Sequence, residues 1–149
     1  MVFTSYMDAA LEQARAAGDR GEVPVGAVIV WDGAVIAAAG NRTRELKDPT
    51  AHAEILAIRD GAYKAGNYRL TGLTLYVTLE PCTMCAGAIS NARLGRVVFG
   101  AYDPKGGAVE HGVQFFSSSN CHHRPDVTGG VLAEDCGQLL KSFFKARRK

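Results

Sequence analysis

Apolar and polar residues follow helical spacing in some parts of this chain and form short continuous runs in others. Near the N-terminus, apolar residues recur at helical spacing and predict a first helix over residues 5–18. Two apolar runs follow, at 25–31 and 34–39, separated by Asp32 and Gly33. A type I′ turn needs positive φ at both central positions, and this dipeptide tolerates it. The pattern therefore predicts a β-hairpin.

The rest of the chain alternates between predicted helices and strands. We expect helices over 51–64, 81–91 and 133–148, and strands over 73–79 and 96–100, with a candidate strand at 127–132. The helix over 51–64 has two candidate caps, Asp48 followed by Pro49, or Thr50. Alternating strands and helices indicate an α/β layered fold around one sheet. We expect residues 1–149 to form one domain.

Composition narrows the class of protein. With 149 residues, 47% hydrophobic and 21% charged, the chain is neither disordered, collagen-like nor a disulfide scaffold. No stretch reaches the ~20 apolar residues of a membrane span, and the N-terminus lacks a secretory pattern. We therefore expect a cytoplasmic location. In that reducing setting the four cysteines are expected to be metal ligands or buried thiols.

The charge is unevenly distributed. The net charge is only +2, but residues 141–149 contain five of the 17 basic residues and no acidic one. This tail has two interpretations. It could be a binding surface for an anionic partner, or a solvated helix end whose cations favour the C-terminal dipole.

Two short motifs contain the residues most suited to chemistry, namely His52-Ala53-Glu54 and Pro81-Cys82-Thr-Met-Cys85. Imidazole and thiolate are zinc ligands, and three protein ligands leave one position for water, as in catalytic zinc sites. Glu54 is the candidate proton acceptor. However, residues two apart on a helix point about 200° apart, so spacing alone does not direct His52 and Glu54 at one water.

Other interpretations of these motifs stay open at this level. Cys82 and Cys85 are also compatible with a redox pair. A structural zinc site would need a fourth ligand, and the available side chains are His111, Cys121, His122, His123 and Cys136. Glu54 could be an ordinary solvated helix carboxylate.

Several segments resemble the bacterial tRNA-specific adenosine deaminase family, in the cytidine and deoxycytidylate deaminase superfamily. Its zinc signature is H-x-E…P-C-x-x-C. The matching segments are Val23-Pro-Val-Gly-Ala27, Gly40-Asn-Arg42, Asp48-Pro-Thr-Ala-His-Ala-Glu54, Glu80-Pro-Cys-Thr-Met-Cys-Ala-Gly-Ala-Ile89, Phe99-Gly-Ala-Tyr-Asp-Pro-Lys-Gly-Gly107 and Phe143-Phe-Lys-Ala-Arg-Arg148. They extend from about Tyr6 to the C-terminus.

The resemblance implies a three-layer α/β/α cytidine deaminase-like fold with a central mixed sheet, and a homodimer. It implies hydrolytic deamination of adenosine to inosine at the wobble position of a tRNA anticodon, by zinc-activated water. Carried over to this chain, His52, Cys82 and Cys85 would bind one Zn²⁺ per chain, and Glu54 would move protons between water, base and leaving amino group. The expected partner is a tRNA anticodon stem-loop.

The same resemblance implies substrate contacts. Asn41 matches a base-recognising asparagine, although asparagine is also common in turns. Asp103 and Lys105 match a loop beside the flipped nucleotide, and the competing interpretation is a surface turn. Two alternative functions are a free-base or nucleoside deaminase, acting on guanine or cytosine, and a non-enzymatic zinc module that binds RNA.

Overall fold

A computed structural model describes residues 2–147, with side chains described for residues 6–147. The four helices are α1 (Val2–Asp19), α2 (Ala53–Ala65), α3 (Thr83–Asn91) and α4 (Ala133–Arg147). The five strands are β1 (Gly26–Trp31), β2 (Ala34–Gly40), β3 (Thr74–Leu79), β4 (Arg96–Ala101) and β5 (Asp126–Thr128). A short 3-10 turn covers Phe115–Ser117.

The strands form one mixed sheet in the order β2-β1-β3-β4-β5. β1 pairs antiparallel with both β2 and β3, whereas β3, β4 and β5 are parallel. Asp32 and Gly33 have φ values of 51° and 78°, which confirms the predicted hairpin turn.

Helices cover both faces of the sheet. Successive residues of β3 point to opposite faces, as the strand pleat requires. Leu75 and Val77 pack beneath α2 and α3, whereas Tyr76 packs beneath α1 and α4. The expected three-layer α/β/α fold with a central mixed sheet is therefore confirmed. Of the helices in the described part of the chain, none has both the length and the apolar content to cross a lipid bilayer.

Some predicted boundaries are wrong. The first helix was predicted to begin at Ser5, but α1 begins at Val2. The N-cap of α2 is His52, neither Asp48 nor Thr50. β5 has only three residues, which is shorter than the candidate strand at 127–132. The predicted end of the last helix, Arg148, falls outside the described residues.

The connections on one side of the sheet create the site. β3 ends at Leu79 and leads through Glu80 and Pro81 into α3, while β4 ends at Ala101 and leads into a loop that contains Asp103. Because these strands are parallel, both carboxyl ends lie at the same edge of the sheet, where α/β proteins commonly bind ligands.

Candidate active site

The turn before α2 places His52 and Glu54 together. His52 is the N-cap residue and has an extended backbone (φ −72°, ψ 154°). The expectation that residues two apart on a helix point about 200° apart therefore does not apply to His52 and Glu54. Glu54 lies in the first helical turn. Both side chains line the same cavity, although the sequence spacing alone did not predict this.

Cys82 occupies the equivalent position on α3. It is the N-cap residue with extended backbone (φ −76°, ψ 177°), and neither it nor His52 makes a side-chain capping bond. Both side chains are instead directed at each other. The Nδ1 atom of His52 lies 3.7 Å from the Sγ atom of Cys82 and 3.5 Å from that of Cys85.

These three residues form a group that fits zinc. The Nδ1 atom and the two sulfur atoms all lie within 4.8 Å of one another, and one nitrogen with two sulfur donors is a set that zinc favours. Within residues 6–147, no fourth His, Cys, Asp or Glu completes the group. The described residues therefore do not form a closed structural site with four ligands. They form the three-ligand arrangement that is typical of catalytic zinc sites.

The other candidate ligands have separate surroundings. Cys121 donates a hydrogen bond to the carbonyl of His123 at 3.0 Å, and the His123 ring contacts the Leu94 carbonyl at 2.7 Å. His122 is exposed. Cys136 is buried on the α1–α4 side of the sheet, as its place on the apolar side of the last helix predicts.

The two thiols differ in acidity. The hydrogen bond from Cys85 is the largest cause that lowers the pKa of Cys82, to about 4, and the contact with His52 acts in the same direction. The same pairing raises the pKa of Cys85. Before metal binds, the pair therefore keeps one thiolate at neutral pH, which is the protonation state a metal ligand requires.

Glu54 is almost fully buried, with 4% of its surface exposed. Burial is the largest cause that raises its pKa from 4.5 to about 7, and the negative charge of Cys82 adds to this effect. This excludes the interpretation of Glu54 as a solvated helix carboxylate. A carboxyl group with a pKa near 7 can both accept and donate a proton at neutral pH.

Asn41 connects the end of β2 to α2. Its Oδ1 atom accepts a hydrogen bond from the backbone N–H of Ala53 at 2.8 Å, so Asn41 supplies the cap that His52 does not. The asparagine side chain is buried and lines the same cavity as Glu54. Among the described residues, none accepts a hydrogen bond from its Nδ2 group, which leaves that donor for a ligand.

The cavity has a volume of about 290 Å³. Its lining residues are Val23, Val25, Asn41, Thr43, His52, Glu54, Leu79, Glu80, Cys82, Asp103 and Gly106. Apolar side chains and polar groups converge here, as is typical of small-molecule sites.

Asp103 and Lys105 are not placed alike. Asp103 lines the cavity, but Lys105 lines a neighbouring groove together with Leu140 and Phe144 of α4. The Asp103 carboxylate accepts bonds from the N–H groups of Lys105 (3.2 Å) and Gly106 (3.0 Å), which is the geometry of a turn. Asp103 is therefore both a residue of a surface turn and a residue that lines the cavity.

Glu80 also lines the cavity. In the sequence it stood out only as the first residue of a matching segment, with no role of its own. Its buried carboxylate accepts hydrogen bonds from the N–H groups of Asp103 (3.0 Å), Val109 (3.1 Å), Glu110 (2.8 Å) and His111 (3.0 Å), and contacts the His111 ring at 2.8 Å. Burial opposes ionisation, but these bonds outweigh it and lower the pKa of Glu80. Glu80 thus holds the loop that follows β4.

Comparison with known proteins identifies the family. A family model described as "MafB19-like deaminase" matches residues 3–148. The tRNA-specific adenosine deaminase of Agrobacterium fabrum (strain C58) is 59% identical over 145 residues, which cover 97% of this chain and 95% of that protein. This chain belongs to the tRNA-specific adenosine deaminase family.

Solved structures agree with this family assignment. The chain superimposes with a TM-score of 0.91 and 60% identity on a tRNA:A34 deaminase from work on A-to-I editing at the wobble position, covering 92% of this chain and 99% of that one. A guanine deaminase from Nitrosomonas europaea is similar at 26% identity and TM-score 0.77, over 94% and 83% of the two chains. The protein is therefore an enzyme of the deaminase family. Its His52, Cys82 and Cys85 group fits the zinc that deaminases with this fold use.

Proposed function

We propose that this deaminase hydrolyses adenosine to inosine at the wobble position of a tRNA anticodon. The observation that carries the proposal is that His52, Cys82 and Glu54 line one cavity, in a chain 59% identical to a tRNA-specific adenosine deaminase. Residues 1–149 would form a single deaminase domain.

Each site residue then has a distinct role. His52, Cys82 and Cys85 would hold Zn²⁺, which would supply a coordinated water that is acidic near neutral pH. Glu54 would accept one proton from water and deliver it to a ring nitrogen of the purine. It would then accept a second proton, from the hydroxyl group now bonded to the purine carbon, and deliver it to the amino group, which departs as ammonia. A pKa of about 7 suits Glu54 to this role, because at neutral pH the carboxyl group can either accept or donate a proton at little cost in free energy.

The walls of the cavity support recognition of a single base. Asn41 would donate a hydrogen bond from Nδ2 to a ring acceptor, because its Oδ1 atom already bonds Ala53. Asp103, which lines the same cavity, would contact the nucleotide, with Lys105 in the adjacent groove. The cavity has a volume of about 290 Å³, and Glu54 and two residues of the metal group lie on its wall, so the target nucleotide would be flipped out of its stack to reach them.

The partner would be a tRNA anticodon stem-loop, bound by a homodimer in the cytoplasm. Basic side chains Lys141, Lys145 and Arg147 are exposed at the end of α4, where they can meet backbone phosphates. Arg148 and Lys149, which belong to the same predicted tail, lie outside the described residues. The apolar spacing of this helix predicts that Phe144 lies on its apolar side, but its side chain is exposed.

A substrate assay tests this proposal. Wild-type protein, loaded with zinc under reducing conditions, is incubated with an anticodon stem-loop that has adenosine at the wobble position, and separately with free adenosine and guanine. We expect inosine in the stem-loop only. Guanine turnover without stem-loop turnover would favour the free-base alternative, and zinc with RNA binding but no product would favour the non-enzymatic module.

Metal content provides the matched control. Wild-type protein should hold about one zinc per chain, and Cys82→Ala or Cys85→Ala should lose it, because two ligands cannot replace three. Replacement of Cys121 by Ala should leave the zinc content unchanged, since Cys121 bonds the His123 carbonyl and not the metal group. Wild-type protein without zinc would contradict the proposal.

A further inference from the structure

An open cleft of about 440 Å³ lies where three parts of the chain meet, namely the end of α1, the loop after β2 and the end of α4. Each part contributes one arginine to the cleft, Arg20, Arg44 and Arg147 respectively. None of these arginines belongs to the metal group or to the cavity described above.

Two of the arginines are fixed by backbone carbonyls. Arg20 donates from Nη2 to the carbonyl of Asn41 at 3.1 Å, and Arg44 donates from Nη1 to the carbonyl of Gly21 at 3.3 Å. A guanidinium has five N–H donors in a planar fork, so each of these bonds orients the group and uses only a fraction of its donors.

Arg147 completes the cleft. Its guanidinium stacks on the ring of Phe143 at 4.4 Å, and it has no carboxylate partner among the described residues. The guanidinium lies beside Gly21, since a Cβ atom at that position would be in van der Waals contact, 3.5 Å from the Nη2 atom of Arg147. Gly21 also has a φ of +88°, which a side chain would strain.

The acidic residues of the cleft already have partners. The buried carboxylate of Glu22 accepts hydrogen bonds from the N–H groups of Arg44 (3.2 Å) and Glu45 (2.8 Å). The carboxylate of Glu45 pairs with Arg42 at 2.7 Å and lies 3.7 Å from Arg20. The cations of Arg44 and Arg147 therefore remain without a paired carboxylate among the described residues.

We propose that this cleft binds a backbone phosphate of the RNA strand next to the target nucleotide, an inference that rests on the function proposed above. Arginine forks match the geometry of phosphate oxygens, and arginines are common phosphate contacts in nucleic-acid complexes. Arg20 links the two sites, because it bonds the carbonyl of Asn41, whose side chain lines the cavity for the base. The cleft and the cavity are thus connected through a single residue, Asn41.

The test compares Arg44→Gln, Arg147→Gln and the double variant with Arg15→Gln. Arg15 is an exposed arginine of α1 that does not line the cleft, so its replacement removes the same charge elsewhere. Stem-loop affinity is measured by fluorescence anisotropy over a range of salt. We expect each cleft variant to bind about tenfold more weakly. In a plot of log binding constant against log salt concentration, the slope of the double variant should be shallower than that of wild type by about 0.7. Arg15→Gln should have the affinity and the slope of wild type.

A second measurement changes the RNA and compares wild-type protein with the double variant. Single phosphates around the wobble position are replaced in turn by uncharged methylphosphonates. We expect one linkage beside the target nucleotide to cause most of the loss in affinity, and that loss to vanish in the double variant, because both changes remove the same contact. Unfolding temperature and zinc content report whether the variants fold.

Three results would overturn the proposal. The first is a double variant with the affinity and salt slope of Arg15→Gln. The second is a loss of affinity spread evenly over all linkages. The third is a double variant that loses only binding of inorganic phosphate, which would make the cleft a site for a free anion. In each case wild-type turnover of the stem-loop would still support the proposed function, whereas no turnover and no binding would overturn both.

Discussion

Glu54 and Glu80 are two buried carboxylic acids on the walls of one cavity, and their pKa values move in opposite directions. Their exposed fractions are nearly equal, 4% and 2%. The pKa of Glu54 rises to about 7, mainly through burial, whereas five hydrogen-bonding contacts outweigh burial and lower the pKa of Glu80. The charge of each carboxyl group therefore depends on its hydrogen bonds as well as on its depth in the protein, and Glu54 lies deeper than Glu80.

The local backbone explains the difference. Glu80 follows β3 and faces a loop whose consecutive N–H groups at 109–111 converge on one of its oxygens. Gly107 allows this close approach, since a Cβ atom there would lie 2.6 Å from Oε2 of Glu80. Glu54 lies in the first turn of α2, where no such loop reaches it. The carboxylate of Glu80 is thus kept ionised and holds the loop, whereas the pKa of Glu54 lies near 7, as the proton transfer proposed for it requires.

The largest expected effect is on activity, from Glu54→Gln. If Glu54 moves protons and does not bind metal, turnover of the stem-loop should fall at least ~100-fold, while zinc content and fold are retained. Single-turnover deamination and metal analysis measure the two quantities. A near-normal rate would make Glu54 structural, and loss of zinc would make it a ligand or a support for one.

The next effect concerns stability, from Glu80→Gln. The amide nitrogen would face backbone N–H donors in place of an acceptor oxygen, so the zinc-loaded protein should lose about 2 kcal/mol in its free energy of unfolding. Urea unfolding measures this. Glu110→Gln is the matched control, because Glu110 is exposed and only its backbone contacts Glu80. Equal stability of the two variants would show that the hydrogen bonds to Glu80 contribute little.

The stability difference between wild type and Glu80→Gln should depend on pH. The pKa of Glu80 is lowered in the folded protein from its ordinary value of 4.5, so the stabilisation is fully present above 4.5. It is lost as the pH falls from 4.5 through the lower folded value. The difference between the two unfolding free energies should therefore shrink below pH 4.5 and stay constant above it. A difference that grows on acidification would reverse the sign assigned to Glu80.

The smallest expected effect comes from His111→Ala. This change removes one contact to Glu80, at 2.8 Å, and leaves the four backbone bonds in place. A loss of about 1 kcal/mol in unfolding free energy is expected, less than for Glu80→Gln. His122→Ala, at an exposed histidine, should have no measurable effect. A loss as large as that of Glu80→Gln would show that the ring, and not the backbone, holds the carboxylate.

The sequence by itself determined the local features of this protein. Apolar spacing predicted the alternating helices and strands, Asp32 and Gly33 predicted the hairpin, and the two short motifs contained all three residues of the metal group. These features depend on neighbours a few residues apart, so a linear pattern records them.

Only the tertiary structure decided how these parts meet. The hydrogen bond from the Ala53 N–H to the Asn41 side chain replaces both predicted caps of α2. The extended backbone of His52 brings its side chain to the same cavity as Glu54. The roles of Glu80 and of the three arginines depend on loops 20 or more residues away in the chain. Burial and hydrogen bonding between distant segments set the charge of a carboxyl group and the accessibility of a cation, and no short stretch of sequence contains that information.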